Sequence, residues 1–220
     1  MKGSGTISPL AAILAVVASF FLSLFLGALF FDLFGYAFAQ LSVELLLIVV
    51  PLGYMLHRQV DVRSYIKLEL KPRTILLGIA FGGFLILFNI AIANVLVSII
   101  GPSQVVEQEN ELIADVSSSP PGLLLMIAGL SLAGICEEFT FRGFLQTAIN
   151  SKYSFGTALV VSSLAFAVLL HLDPQVVLTI SAFLMGLILG YIYHHWHSYA
   201  VSATAHATMN LIVLMIMLVR

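Results

Sequence analysis

The run LAAILAVVASFFLSLFLGALFF, from Leu10 to Phe31, holds no charged residue over 22 positions. A membrane-spanning helix needs about 20 predominantly apolar residues. The run meets that length as a single helix. It exceeds the roughly 7–15-residue apolar region of a secretory signal, and no small-x-small cleavage site follows it. It reads as a first membrane helix.

The rest of the chain has the same character. Of 220 residues, 60% are hydrophobic and 9% are Asp, Glu, Lys or Arg. A soluble domain carries about 25% charged and 45–50% apolar residues. This composition excludes an ordinary soluble domain, and a disordered chain as well. The net charge of −2 comes with no dense basic face. Nucleic-acid recognition needs such a face, so no nucleic-acid partner is expected and membrane lipid is. One cysteine, Cys136, excludes an internal disulfide and any CxxC site. There is no internal repeat and no low-complexity tract.

Polar breaks divide the chain into about seven helices at 9–31, 36–56, 74–100, 123–150, 156–171, 175–193 and 199–219. The fold class is therefore all-α: a polytopic membrane protein with about seven transmembrane helices in one bundle. Helices are required because backbone groups in hydrocarbon must bond within their own segment. Asp32 to Gly35 reads as a tight polar turn, and Gly101–Gly122 as the longest polar loop. The loop His57–Arg73 holds Arg58, Arg63, Lys67, Lys71 and Arg73, whereas Gly101–Gly122 holds Glu107, Glu109, Glu111 and Asp115. By the positive-inside rule the first loop is cytoplasmic and the second is outside. Lys2 and Lys152 then also fall inside, with the N-terminus cytoplasmic and the protein multi-pass in the cell membrane.

The chemistry sits where charge enters apolar sequence. An ionised side chain at mid-helix costs roughly 2.5–3.5 kcal/mol on insertion scales. Glu137, Glu138 and Arg142 fall within six positions and must face a protein interior or a wet cavity. Glu138 and Arg142 are i and i+4, so they can pair on one face. Glu137 lies about 100° away around the helix, which leaves its carboxylate freer. His206 and Asn210, also i and i+4, share a face of the last helix. Glu137 and His171 stand 17 residues either side of position 154, so a hairpin there would set them level.

This set can hydrolyse a peptide. A carboxylate beside a histidine can hold and deprotonate water as a general base. A His–Asn pair on a rigid helix can stabilise the resulting oxyanion. Alternatively, Glu137 and the two histidines could bind zinc, with metal-bound water as nucleophile.

Blander readings attach to other residues. His194, His195, His197 and Trp196 suit a headgroup-level belt, since aromatic rings favour that interface. Glu44 is a lone acid in the middle of the second helix that either faces the cavity or pairs with Gln40. Gly186 and Gly190 indicate close helix packing. One tension stands in the geometry. His171 lies about 24 Å along the fifth helix, but His206 only about 12 Å from the inner end of the seventh. Tilt, or a long cytoplasmic extension of the fourth and fifth helices, would reconcile them.

These residues resemble a known family. Glu137-Glu138-Phe139-Thr140-Phe141-Arg142-Gly143 matches the EExxxR signature of the CPBP family, the CAAX-prenyl-protease and bacteriocin-processing (Abi) intramembrane proteases. His206-Ala207-Thr208-Met209-Asn210 matches its final HxxxN motif, and Gly186–Tyr191 resembles the small-residue helix that precedes it. The family's middle motif is FxxxH. Here Phe166 to His171 is one residue longer, and helical spacing directs Phe166 about 140° away from His171. The resemblance assigns His171 as the motif histidine.

It implies a catalytic water activated by Glu137 and held by His171, an oxyanion hole from His206 and Asn210, and support from Glu138 and Arg142. It implies an endopeptidase acting on a prenylated or membrane-associated peptide or protein; the family has been described both as metal-free, the reading favoured here with no cofactor, and as metalloproteases, with zinc as the alternative cofactor. Residues 1–122 would form N-terminal helices and an acidic outer loop, and 123–220 the catalytic core. The competing functions are a non-proteolytic bacteriocin-immunity or scaffold protein, and a proton- or solute-coupled transporter. The lack of an inverted repeat weighs against the transporter.

Overall fold

The computed structural model describes residues 6–219; Lys2 lies outside them. In chain order the elements are α1 (Pro9–Phe34), α2 (Tyr36–His57), α3 (Val62–Tyr65), α4 (Pro72–Ile100), α5 (Gln104–Ser117), α6 (Pro120–Glu138), a π-helical segment (Phe139–Gln146), α7 (Thr147–Asn150), α8 (Phe155–Leu170), α9 (Val177–Trp196) and α10 (Tyr199–Val219). Six spans among the described residues are long and apolar enough to cross a membrane: α1, α2, α4, α9, α10 and the continuous stretch Pro120–Asn150. The seventh expected helix, α8, is apolar but only 16 residues long, short of the roughly 20 that a crossing takes. The protein is a multi-pass, all-helical membrane protein.

Local sequence sets the helix starts. Ser8, Ser119 and Ser154 are N-caps whose hydroxyls accept from the amides of Ala11, Gly122 and Thr157. Such caps satisfy backbone donors that the helix leaves open. Prolines follow at the first turn of α1, α4 and α6, where their missing N–H costs nothing.

Two expectations need correction. Asp32–Gly35 is no polar turn: α1 runs through Asp32 to Phe34, and Gly35 alone separates it from α2. Gly35 has φ +82°, a conformation that only glycine adopts without steric cost. The acidic stretch after Gly101 is no open loop either, because it folds as α5. Ser103 caps it by accepting from Val106 N at 3.3 Å, and Glu107 in the first turn suits the positive end of the helix dipole. The buried residues Ile113 and Ser117 are i and i+4 on one face, and α5 packs against α6 and α10.

α10 stands between α4, α6 and α9. Small residues let the backbones meet. A Cβ on Gly134 of α6 would run into the Ala207 nitrogen of α10. On α4, Gly78 and Gly82 abut Thr204 and Thr208 in the same way. Close approach of this kind is how membrane helices gain packing energy where lipid supplies no hydrophobic drive. Gly186 and Gly190 follow suit, against Ser163 and Gln146.

Pro51 lies inside α2. A mid-helix proline has no N–H for the carbonyl four residues back, here that of Leu47. That carbonyl accepts instead from the Ser19 hydroxyl of α1 at 2.7 Å and from the Thr140 hydroxyl at 3.3 Å. The freed acceptor thus ties α1, α2 and the π-helical segment together.

Candidate active site

The Glu138–Arg142 pair forms as the i,i+4 spacing predicts. Arg142 Nη1 lies 3.1 Å from Glu138 Oε1, and both side chains are fully buried. Arg142 is further held by donation from Nη2 to the Gly186 carbonyl at 3.2 Å and by the Phe166 ring, 4.6 Å from its guanidinium carbon. The residues from Phe139 to Gln146 are all buried and wind as a π-helix. Wide turns of this kind recur at functional sites. Gln146 continues the same face, donating to the Gly190 carbonyl and accepting from Ser162.

His206 reaches both glutamates. Its Nε2 lies 3.5 Å from Glu137 Oε2 and its Nδ1 3.4 Å from Glu138 Oε1. Sequence spacing gave no sign of this double contact, because it depends on how α10 docks on α6. The docking is fixed by Gly134, one turn before Glu137, and by Asn210, whose Nδ2 donates to the Leu130 carbonyl at 3.2 Å. An Asn amide carries two donor hydrogens, so one remains.

A cavity of about 270 Å³ collects these groups. Glu137, His171, His206 and Asn210 all line it. The expected tension in depth disappears. α8 ends at Leu170, and His171 follows in a non-helical conformation, while the stretch Pro120–Asn150 runs for 31 residues.

The same chain break corrects the position of Phe166. Angular spacing along a helix does not extend past its end, so Phe166 does not point away from His171. Its ring lies edge-on to His171 at 4.7 Å, and it also meets His206 at 6.0 Å and Phe141 at 5.4 Å. The extra residue in the motif is absorbed where the helix stops.

The break itself is secured. Asp173 N donates to Thr179 Oγ1 at 2.9 Å, and Thr179 Oγ1 donates to the His171 carbonyl at 2.7 Å. The Asp173 carboxylate accepts from the amides of Gln175 and Leu178. Burial would raise the Asp173 carboxyl. The amides of Leu178, Gln175 and Val177 and the Ser103 hydroxyl outweigh it and hold the group below the usual carboxylate range.

Sequence reading missed several lining residues: Gln40, Asn89, Glu109, Asn110 and Ser181. Glu109 and Asn110 come from α5, which closes one side of the cavity. Burial pushes the Glu109 carboxyl above the usual range. The spacing of Val106, Asn110, Ile113 and Ser117 was the available signal for this inward face. Glu44 is buried, and its Oε1 accepts from Gln40 Nε2 at 3.0 Å.

A catalytic zinc takes three protein ligands. Among the described residues no group of three His, Cys, Asp or Glu side chains could hold a metal ion. That includes His194, His195 and His197; His194 stacks on Phe155 and His197 Nδ1 faces Lys67 Nζ at 3.4 Å.

Residues 119–212 match the family model described as type II CAAX prenyl endopeptidase, Rce1-like. No curated protein and no solved structure matches the chain.

Proposed function

We propose that the chain, whose residues 119–212 match the type II CAAX prenyl endopeptidase family model, hydrolyses a peptide bond of a membrane-associated substrate with Glu137 as general base. The observation that carries this reading is the contact of one imidazole, His206, with both Glu137 and Glu138 at the wall of a cavity inside the bundle.

Water held between Glu137 and His171 gives a proton to the Glu137 carboxylate as its oxygen attacks the carbonyl carbon. The carbonyl π electrons move onto oxygen. Asn210, through its second amide hydrogen, and His206 Nε2 donate to that oxyanion. Collapse breaks the C–N bond, and the proton on Glu137 passes to the leaving amine. Glu138 steadies His206 from the other ring nitrogen, and Arg142 balances its charge. A pre-oriented donor at an oxyanion is worth about 2.7–4 kcal/mol, and general-base assistance contributes about 10²–10⁴-fold. No metal is required by this scheme.

The N-terminus and the basic loop His57–Arg73 are assigned to the cytoplasmic side, on the charge asymmetry. The test compares wild type and Glu137→Gln expressed at matched levels in membranes, with new peptide termini sequenced by mass spectrometry. Termini formed by wild type alone support the reading. Equal termini from both proteins overturn it and favour a non-proteolytic immunity or scaffold role. Persistence of the wild-type termini in a zinc chelator supports the metal-free scheme.

A further inference from the structure

Asn89 lies well inside the membrane-spanning helix α4, and the scheme above leaves it unused. It lines the cavity that holds Glu137, His171, His206 and Asn210, and among the described residues it is the one contribution of α4 to that lining. Asn side chains in membrane helices commonly bond across to a neighbouring helix. Asn210 does so, to the Leu130 carbonyl. The Asn89 amide has no hydrogen-bond partner among the described residues, so a bond between helices does not account for it.

The register of α4 on α10 sets its place. Gly78 abuts Thr204 and Gly82 abuts Thr208, so the two helices run parallel and in step. Asn89 is seven residues past Gly82. Seven residues fall about 20° short of two full turns, so Asn89 shares the face that Gly82 turns to α10. The same step from Thr208 ends at Met215, between Val213 and Met217, and both of these line the cavity. Asn210 is only two residues past Thr208. Along the common direction Asn89 thus stands five residues beyond Asn210, or about 7.5 Å. α5 packs at that end, with Ile113 in one cluster with Leu214 of α10, and it brings Asn110 to the same lining.

We propose that Asn89 binds substrate: its amide pairs with the backbone of an extended peptide, about two residues from the bond that is cut. An Asn side chain carries a carbonyl acceptor and N–H donors. A peptide backbone presents the same two kinds of group, so one Asn can satisfy both at a single position. An extended chain advances about 3.3 Å per residue, and the separation from the Asn210 amide, which donates to the oxyanion, spans about two residues. A peptide drawn into a membrane protein leaves water behind and must find other partners for its backbone. Asn89 supplies them whatever the side chain at that position, and Asn110 offers a second amide toward α5. This inference rests on the reading of Glu137 as base.

The test uses the full chain in phosphatidylcholine vesicles. The probe is a synthetic peptide copied from a cut site that wild type makes and Glu137→Gln does not. Wild type, Asn89→Leu and Asn89→Gln are compared on this peptide and on analogues in which one backbone N–H near the cut is replaced by an ester oxygen. Asn89→Leu is expected to raise KM about tenfold, the worth of one or two hydrogen bonds, with kcat little changed, as loss of uniform binding requires. Asn89→Gln keeps the amide and recovers part of the loss. One ester, about two residues from the cut, weakens cleavage by wild type about tenfold and has no further effect in Asn89→Leu. An unmoved KM, or an ester penalty at every position as large in Asn89→Leu as in wild type, overturns the proposal. A merely structural Asn89 gives that second pattern, with a lowered thermal midpoint. Asn89→Ala carries the same comparison where Asn89→Leu does not fold. The two readings fail separately. If no cut depends on Glu137, the base assignment falls and this inference falls with it. A Glu137-dependent cut that is indifferent to Asn89 overturns this inference alone.

Discussion

The Thr179 hydroxyl donates to the backbone carbonyl of His171 at 2.7 Å while accepting from the Asp173 amide. One side chain thus fixes the chain just where α8 ends and α9 has yet to begin. Thr179→Val keeps the shape and removes both hydrogen bonds. Leaving buried partners unsatisfied costs about 1–3 kcal/mol. Expressed at His171, that cost lowers kcat by about tenfold or more, with KM little changed. Steady-state kinetics in detergent would show the split, and an unchanged kcat would assign Thr179 to the fold alone.

Arg142 and Glu138 should respond very differently to single and double substitution. Removing one partner of a buried pair costs about 3–5 kcal/mol, whereas replacing both with apolar residues is often neutral. Arg142→Met is expected to lower the thermal midpoint sharply. Glu138→Leu combined with Arg142→Met recovers most of that loss, yet remains inactive because His206 loses a carboxylate neighbour. Thermal unfolding and cleavage, measured on the same preparations, check both halves.

Gly134→Ala tests whether α6 and α10 must touch. The new Cβ would meet the Ala207 backbone, which cannot move as a side-chain tip can. The helices separate, and Glu137 and His206 part with them. Membrane insertion is expected to persist while cleavage falls by two orders of magnitude or so, since about an ångström of misplacement can cost 10²-fold.

Asp173 gives the protein an acid-side stability limit. Its carboxyl is held below the usual range in the folded state. The stabilisation is therefore fully present above the ordinary Asp value of about 3.9 and is lost as pH falls through the lower folded-state value. Asp173→Asn removes it. The variant is less stable than wild type at neutral pH, and the gap narrows below about pH 4. Midpoints measured from pH 7 downward would show whether the curves converge.

Much of this was legible in the sequence. Leu10–Phe31 declares a span because nothing polar interrupts it, and Glu138 with Arg142 declares a pair because four residues make a helical turn. What escaped was set by tertiary packing or by where a helix stops. Phe166 was misdirected because the helical angle was carried past Leu170. In α5, acidity masks the helical spacing of the inward face.

The brevity of α8 has a consequence for the lipid around it. At 1.5 Å per residue its 16 residues rise about 24 Å, against a hydrocarbon core of about 30 Å. A bilayer meets such a mismatch by thinning locally. Thinning at the C-terminal end of α8 would bring water toward His171, which follows that helix. Membrane thickness then becomes a control on solvent supply, and vesicles of shorter acyl chains hydrate the site more readily than those of longer ones.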